Sequence, residues 1–228
     1  MELSPILISL KTATLSVFIT FFLGIAVAYW VVRMRHEKVK MICDGILTLP
    51  LVLPPTVAGF FLLYIFGVKR PLGQFFLEFF GVKIAFSWGA TVLAAVVISF
   101  PLMYRSARGA FEQVDANLLY AGRTLGMSEW KIFWRVLFPN ALSGILSGGI
   151  LAFARGLGEF GATAMIAGNI AGKTRTLPLA VYSHVSAGDM EGAYQYVLIL
   201  VVISFTSAIK AEYISISIPT GDICGCSC

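Results

Sequence analysis

The sequence predicts an all-α integral membrane protein, a polytopic helical bundle of about five transmembrane helices. Of its 228 residues, 58% are hydrophobic and only 13% are charged, and the mean hydropathy is +0.85. Soluble domains carry about 25% charged residues, so a water-soluble fold of this size could not cover its surface with so few charges. Several apolar stretches also reach the length of about 20 residues that a helix needs to cross the hydrocarbon core of a bilayer.

The predicted spans cover residues 12–32, 41–66, 84–104, 138–160 and 193–209, within one transmembrane domain over 1–228. The first span is too long for a cleaved signal peptide and no basic segment precedes it, so we expect it to be retained. Prolines interrupt two spans: Pro50, Pro54 and Pro55 in the second, and Pro101 in the third. Because each proline removes a backbone donor, these spans should kink or break. Breaks favour a transporter or channel over an anchor, although packing alone would also explain them.

Charge in the loops predicts the orientation. The loop at 33–40 and the loop at 105–137 are both more basic than the loops on the opposite side, one of which carries Lys69, Arg70 and Lys83 and the other Lys173 and Arg175. The positive-inside rule therefore places the N-terminus outside and the C-terminus in the cytoplasm, in a multi-pass protein of the cell inner membrane. The net charge of +5 is explained by these loops. We expect contact with membrane lipid and none with nucleic acid, because no basic run is interleaved with exposed aromatic residues.

The sequence lacks the motifs of an enzyme or a metal protein. It contains no zinc-protease motif, no nucleophile elbow and no phosphate-binding P-loop. Its two histidines are far apart, and the Cys-x-Cys-x-Cys pattern at 224–228 is not a usual zinc spacing. We therefore predict no catalytic residue, no metal and no cofactor. If ATP drives this protein, the ATPase must be another chain.

Two patterns mark the fourth span. Arg155 and Glu159 are four residues apart, so they share a helix face and can form an ion pair. Ionisable groups at membrane depth usually face a bundle interior or an aqueous path. The alternative is that the helix has reached the outer interface and both groups are solvated. Gly144 and Gly148 form a Gly-x-x-x-Gly pair, which predicts close helix packing within the subunit or across a dimer.

The segment at 119–139 is too amphipathic to be another span. It predicts a short helix that stops at Gly126, followed by a second helix with Trp130, Phe133 and Trp134 that leads into the fourth span. A short amphipathic element at the cytoplasmic face could bind a soluble partner. It could equally lie on lipid.

This segment resembles the cytoplasmic EAA loop of ABC importer permeases, Glu-Ala-Ala-x-x-x-Gly-x9-Ile-x-Leu-Pro. Ala121, Gly126 and Pro139 match that pattern, whereas Tyr120 stands at the glutamate position and Gly122 at the second alanine. The resemblance implies that the segment couples the permease to its ATPase. The residues it assigns to coupling are Tyr120, Ala121, Gly122, Arg123, Thr124, Leu125, Gly126 and Pro139. Because the glutamate is missing, the resemblance does not extend to an acidic contact with the ATPase.

Further strings are similar to the molybdate permease family in order and spacing over residues 6–208. They are Leu-Pro-Leu-Val-Leu-Pro-Pro at 49–55, Phe-Ser-Trp at 86–88, Ser-Phe-Pro-Leu-Met at 99–103, Ala-Arg-Gly-Leu-Gly-Glu-Phe-Gly-Ala-Thr at 154–163 and Thr-Arg-Thr-Leu-Pro at 174–178. The tail at 209–228, with its cysteines, departs from the family, and no role is assigned to it.

The resemblance implies a type I ABC importer permease fold and transport of molybdate or tungstate, with sulfate or thiosulfate as the alternative. It also implies two cytoplasmic ABC ATPase subunits, a second copy of the permease and an external (periplasmic) oxyanion-binding protein. Helix N-termini and hydroxyls could stabilise a tetrahedral dianion on its path. The candidate pathway or gate residues are Arg155, Glu159, Thr163, Thr56, Ser99 and Ser147. The rivals are an ion channel or secondary transporter, and a membrane-embedded enzyme or scaffold.

Overall fold

The computed structural model describes residues 2–81 and 83–217. The long apolar segments, which contain few turn residues, form helices over most of this range. The helices are α1 (Ser4–Val32), α2 (Glu37–Val52), α3 (Pro55–Phe66), α4 (Pro71–Phe80), α5 (Trp88–Glu112), α6 (Ala116–Thr124), α7 (Glu129–Ile132), α8 (Phe138–Leu157), α9 (Gly161–Ile166), α10 (Leu177–Ser186) and α11 (Met190–Ser217). A π-helical turn, Phe133–Leu137, joins α7 to α8.

Four helical stretches are long and apolar enough to cross a membrane: Ser4–Val32, Trp88–Glu112, Glu129–Leu157 and Met190–Ile214. The pair formed by α2 and α3 passes the same test but bends by 108° at its break. The prediction of about five transmembrane helices is therefore confirmed.

The broken span follows from its prolines, although not from all of them. Leu53 is extended, and Pro54 and Pro55 together end α2 and begin α3. Pro55 occupies the first position of α3, where a missing N–H costs nothing. Pro50 lies inside α2 and Pro101 inside α5, and neither ends its helix. Of the kink or break expected at Pro101, a break is not seen, since α5 continues through it to Glu112.

The face of α1 that packs in the bundle is lined with small residues. Ser9, Thr12, Ser16 and Thr20 are buried there, whereas Phe18 is 62% exposed. Small residues allow helices in lipid to approach closely, and hydroxyls add hydrogen bonds between them. The Thr12 hydroxyl lies 3.1 Å from the Thr91 hydroxyl of α5 and accepts a 3.0 Å hydrogen bond from Trp88 Nε1.

The Gly-x-x-x-Gly pair packs within the subunit. A Cβ on Gly144 would lie 2.8 Å from Ala110 Cβ, and a Cβ on Gly148 would lie 2.3 Å from Ser106 Cβ. Both neighbours belong to α5, so the two glycines bring the backbone of α8 against α5. The sequence had left open whether this contact was internal or between copies.

The ends of the bundle are identified by contacts that are distant in sequence. At one end, Arg33 after α1 forms a 3.0 Å ion pair with Glu129 of α7, and Lys40 forms a 2.9 Å ion pair with Glu112. At the other end, the Tyr196 hydroxyl accepts a 3.0 Å hydrogen bond from the backbone N–H of Glu2. The two basic loops therefore lie at one end and the start of α1 at the other.

Helix limits differ from the predicted spans at several places, and α1, for example, begins at Ser4 and not at residue 12. Helix α5 continues to Glu112 instead of ending at residue 104, because ion pairs to α2 hold its basic last turns. Helix α8 ends at Leu157, before the expected residue 160. Helix α11 extends past residue 209 to Ser217. The tail cysteines Cys224, Cys226 and Cys228 lie outside the described residues.

Large apolar side chains cover the outer faces of several helices. On α11, Leu198 is 67% exposed and Phe205 is 65% exposed. Contiguous apolar surface of this kind is unfavourable in water, at about 25 cal/mol per Å². These faces therefore require lipid or another protein chain as their surroundings.

Candidate functional site

The segment assigned to coupling forms a compact helix–turn–helix at the basic end of the bundle. Asp115 caps α6, with its Oδ1 accepting a 2.9 Å hydrogen bond from the Asn117 N–H. After α6 the chain turns at Gly126, which has φ +72°. This left-handed conformation favours glycine. The predicted helix stop at Gly126 is therefore confirmed.

Gly122 is the buried member of this element. A Cβ at Gly122 would lie 3.2 Å from Ile132 Cγ1, so the site accepts only a small residue. The alanine of the EAA pattern would therefore require a small shift of the Ile132 side chain at this position. The other coupling candidates on α6 and its turn, Tyr120, Ala121, Arg123, Thr124 and Leu125, are all exposed.

Tyr120 holds the position that is glutamate in the EAA pattern, and its side chain is 59% exposed. The Arg123 guanidinium carbon lies 5.6 Å from the centre of the Tyr120 ring. A cation over an aromatic face is attractive by about 0.5–1 kcal/mol at exposed sites. The exposed face of α6 therefore presents an aromatic and cationic surface in place of an acidic one.

Glu129 fastens the element to the bundle, and sequence reasoning missed its role. Its carboxylate lies 2.8 Å from Arg123 Nε and 3.0 Å from Arg33 Nη2. It therefore links α7 to α6 and to the end of α1. The hydrogen bond to Glu129 also raises the pKa of Arg123, which stays protonated. An acidic residue directly after Ser128, the N-cap of α7, was the available signal.

The π-helical turn joins this element to α8 without a break. Pro139 has no N–H to donate to the carbonyl of Arg135, its normal α-helical acceptor. In the turn, the Phe138 N–H donates to the carbonyl of Phe133, one residue further back than in an α-helix. Asn140 Nδ2 donates a 2.6 Å hydrogen bond to the carbonyl of Val136. The proline matched to the EAA pattern therefore lies where the helix changes its winding, a feature often found at functional sites.

Arg155 and Glu159 form the predicted pair, although they do not share one helix. Glu159 follows the end of α8, and its Oε2 accepts a 2.8 Å hydrogen bond from Arg155 Nη1. Its Oε1 accepts a 2.9 Å hydrogen bond from the Ala162 N–H of α9. The Glu159 side chain is 1% exposed and the Arg155 side chain 32% exposed. The alternative in which both groups are solvated therefore does not hold for Glu159.

The four hydroxyl candidates do not converge on one site. Thr163 is buried in α9, and the backbone nitrogen of Thr56 would lie 3.0 Å from a Cβ on Gly161, so these two lie close to the Glu159 break. Ser99 is buried in α5 and donates a 2.6 Å hydrogen bond to the carbonyl of Ala95. Ser147 lies about 15 Å along α8 from the end of the helix, at 1.5 Å per residue.

Ser147 belongs to a groove between α5 and α8. The groove has a volume of about 730 Å³, and its polar lining includes Arg105, Ser106, Gln113, Asn140, Ser143 and Ser147. A second cavity of about 390 Å³, between α2 and α5, shares Arg105 with it. Sequence reasoning counted Arg105 only as a loop charge, because it did not foresee that α5 continues past residue 104.

At the opposite end, Asp189 caps the start of α11. Its Oδ1 accepts a 2.9 Å hydrogen bond from the Gly192 N–H, and its Oδ2 lies 2.7 Å from His184 Nδ1. These two contacts lower the pKa of Asp189. Among residues 2–81 and 83–217, no three histidine, cysteine or acidic side chains are grouped as a metal site would require.

Comparison with known proteins gives consistent matches over nearly the whole chain. Residues 20–216 match the family described as "Binding-protein-dependent transport system inner membrane component". The "Molybdenum transport system permease protein ModB" of Escherichia coli (strain K12) is 42% identical over 215 residues, which is 94% of this chain and 93% of that protein. The "Putative molybdenum transport system permease protein YvgM" of Bacillus subtilis (strain 168) is 41% identical over 202 residues, 89% of this chain and 88% of that protein.

Among solved structures, a chain of the "MetNI methionine ABC transporter" in inward-facing conformations aligns with a TM-score of 0.73. The alignment covers 94% of both chains at 17% sequence identity. At this identity the likeness concerns the fold, which agrees with the predicted type I importer permease bundle.

Proposed function

The chain belongs to the family of binding-protein-dependent transport system inner membrane components, and on that premise we propose that it is the permease subunit of an ATP-driven molybdate importer. The observation that carries the proposal is the 42% identity, over 94% of this chain, to a molybdenum transport permease. Tungstate has the same charge and tetrahedral shape as molybdate and is expected to share the path.

ATP hydrolysis is assigned to separate subunits, since the sequence contains no phosphate-binding P-loop. Two cytoplasmic ATPase subunits would each bind one copy of the exposed face of α6, through Tyr120, Ala121, Arg123, Thr124 and Leu125. Gly122 and Gly126 set the shape of that face, and Pro139 sets the connection to α8. Because Glu129 and the π-helical turn tie α6 to the bundle, a push on α6 would move α1 and α8 as rigid bodies.

We infer that a second copy of the chain completes the transport path. Five spans can hardly enclose an aqueous path, and α11 leaves large apolar side chains uncovered. Pairing two copies would place the path between them and cover part of this surface. An external oxyanion-binding protein would deliver the ion at the end of the bundle that holds Glu2 and Tyr196.

The proposed orientation places the N-terminus outside and the C-terminus in the cytoplasm. Its support is that both basic loops lie at the end of the bundle where α6 and α7 are found. Cytoplasmic loops carry the excess of lysine and arginine. The same end would then face the ATPase, as coupling requires.

The pathway candidates divide by position along the bundle. Arg155, Glu159, Thr56 and Thr163 lie near the break between α8 and α9, towards the outer end. Because Glu159 neutralises Arg155, this group acts as a gate held by an ion pair and does not attract anions strongly. Ser99 contributes to helix packing through its bond to Ala95.

The decisive experiment measures uptake by the assembled importer. The chain is reconstituted in proteoliposomes with its ATPase and binding protein, and ATP-dependent uptake of labelled molybdate is followed with tungstate or sulfate as competitor. We expect tungstate to block uptake and excess sulfate to leave it unchanged. Equal competition by sulfate would move the substrate to the sulfate and thiosulfate class, and flux without ATP would overturn the importer assignment.

A further inference from the structure

We propose that the groove between α5 and α8 is an oxyanion-binding site on the cytoplasmic side of the path, with Arg105 as its cation. This inference rests on the proposed function, because it names residues that would hold the transported ion after it has passed the outer gate. The groove encloses about 730 Å³, which is ample for one tetrahedral oxyanion with part of its hydration shell. Of the six candidate pathway residues, Ser147 lines it.

Arg105 is distinguished by the charges around it. Asp44 forms an ion pair with Arg108, and the Tyr104 hydroxyl also donates to Asp44. Glu112 accepts hydrogen bonds from both Arg108 and Lys40, at 2.9 Å each.

The two carboxylates of this cluster are therefore matched by two cations. Arg105 is the third cation, and in the described part of the chain no carboxylate lies within ion-pair distance of it. One positive charge of this cluster therefore remains available beside the groove, whose lining also includes the carboxylate of Asp115.

Several other arginines of the bundle are already paired with carboxylates. The Arg155 guanidinium lies 2.8 Å from Glu159, and Arg123 and Arg33 share Glu129. A guanidinium matches the geometry of tetrahedral oxyanions and binds them through charge-assisted hydrogen bonds. Arg105 lines the groove without such a partner among the described residues, so its donors are open to an anionic ligand.

Neutral donors complete the site. The hydroxyls of Ser106, Ser143 and Ser147 and the side-chain amides of Asn140 and Gln113 line the same groove. Hydroxyls and amides can replace water around an anion without adding charge. One cation with neutral donors would bind a dianion weakly, so that the ion can leave towards the cytoplasm. Asp115 also lines the groove, and its negative charge opposes tight retention.

The test uses a reporter cysteine in the groove of the whole importer. Cys43 and the three tail cysteines are replaced by serine, Ser147→Cys is introduced, and the complex is placed in phosphatidylcholine nanodiscs without nucleotide. The rate at which a small cationic thiol reagent modifies the reporter cysteine is measured with and without tungstate. Mass action predicts a rate lowered by the factor 1 + [tungstate]/Kd, about tenfold when tungstate is at ten times its Kd.

Charge-matched variants test whether Arg105 itself, and not the overall charge of the surface, is responsible for tungstate binding. Arg105→Gln should raise the tungstate Kd obtained from the protection by about tenfold or more, since it removes a charge-assisted hydrogen bond. Arg35→Gln makes the same charge change in the exposed α1–α2 loop and should leave the protection intact. Arg105→Lys should retain part of it. Protection that is absent, or equal in Arg105→Gln and Arg35→Gln, overturns the proposal.

Two further measurements distinguish a transported oxyanion from a lipid headgroup as the anion bound in the groove. If modification of the reporter cysteine is slowed by phosphatidylglycerol in the nanodisc and not by tungstate, the groove binds a lipid headgroup and the proposal fails. Molybdate uptake by the same Ser147→Cys complex, reconstituted in proteoliposomes, is measured in parallel. ATP-dependent uptake without protection refutes this site and leaves the proposed function standing, whereas protection by sulfate alone refutes the molybdate assignment.

Discussion

Arg155 donates a 2.8 Å hydrogen bond to Glu159 across the end of α8, and the two side chains differ sharply in exposure. The carboxylate is 1% exposed, whereas the arginine side chain is 32% exposed. The pair is therefore asymmetric, because only the acid depends on its partner for solvation. The same carboxylate accepts the Ala162 N–H, so it holds the junction of α8 and α9.

This asymmetry predicts which of two single substitutions destabilises the protein more. Arg155→Met leaves a buried carboxylate unpaired and should destabilise the protein by about 3 kcal/mol, the lower end for breaking a buried pair. Glu159→Gln should cost only about 1 kcal/mol, because its carbonyl can still accept the Ala162 N–H and water can solvate Arg155. Thermal inactivation of the detergent-solubilised complex shows which of the two variants is less stable. If Glu159→Gln is the more destabilising variant, the carboxylate is hydrated in the assembled importer.

The contact between Gly148 and Ser106 predicts a rescue. Gly148→Ala would place a Cβ 2.3 Å from Ser106 Cβ, and overpacking of this kind costs about 1–3 kcal/mol. Ser106→Gly in the same chain removes the clashing atom and should restore most of the stability. The measurement is the thermal midpoint of the two single variants and the double variant.

A matched control exists on α2. Gly45 lies inside that helix, and a Cβ added to it would meet no neighbouring atom within 4 Å. Gly45→Ala should therefore raise stability by about 0.5–1 kcal/mol through helix propensity alone. A loss of stability at Gly148→Ala that Ser106→Gly does not reverse would mean that α8 meets another surface there.

At Gly126 the backbone shape of the turn between α6 and α7 can be tested apart from any side-chain contact. A Cβ at Gly126 meets nothing within 4 Å, so a substitution acts only through the φ of +72°. Valine is strongly disfavoured in this region, whereas asparagine tolerates it. We expect Gly126→Val to lower molybdate uptake per ATP hydrolysed, and Gly126→Asn to keep it close to the original value. Unchanged coupling in Gly126→Val would exclude a role for this turn.

The proposed orientation predicts cysteine accessibility. In a background without native cysteines, Asn169→Cys should react with an impermeant maleimide added to intact cells. Lys38→Cys, in the first turn of α2, should react only after the membrane is permeabilised, because this end of the bundle is predicted to face the cytoplasm. Both sites are exposed, so both should react fully in permeabilised cells. The reverse pattern would invert the topology.

Much of the site could be predicted from short-range pattern. The helix stop at Gly126 follows from a glycine after an amphipathic segment. The pairing of Arg155 with Glu159 was also expected, although the shared helix face from which it was inferred is absent, because α8 ends at Leu157. The roles of Glu129 and Arg105 could not be predicted. Both depend on which loop charges meet across the bundle, and charges far apart in sequence carry no periodic signal.

That this chain is a helical membrane protein with about five spans follows from the amino-acid sequence alone, because lipid imposes length and apolarity on every spanning helix. The resemblance to the EAA loop follows from it as well, since Gly126 and Pro139 match that pattern and act locally. The folded bundle was needed to establish that Gly144 and Gly148 pack against α5, that α5 continues to Glu112, and that Arg105 lacks an acidic partner among the described residues. Those facts arise from packing between helices, where each side chain's surroundings come from distant parts of the chain.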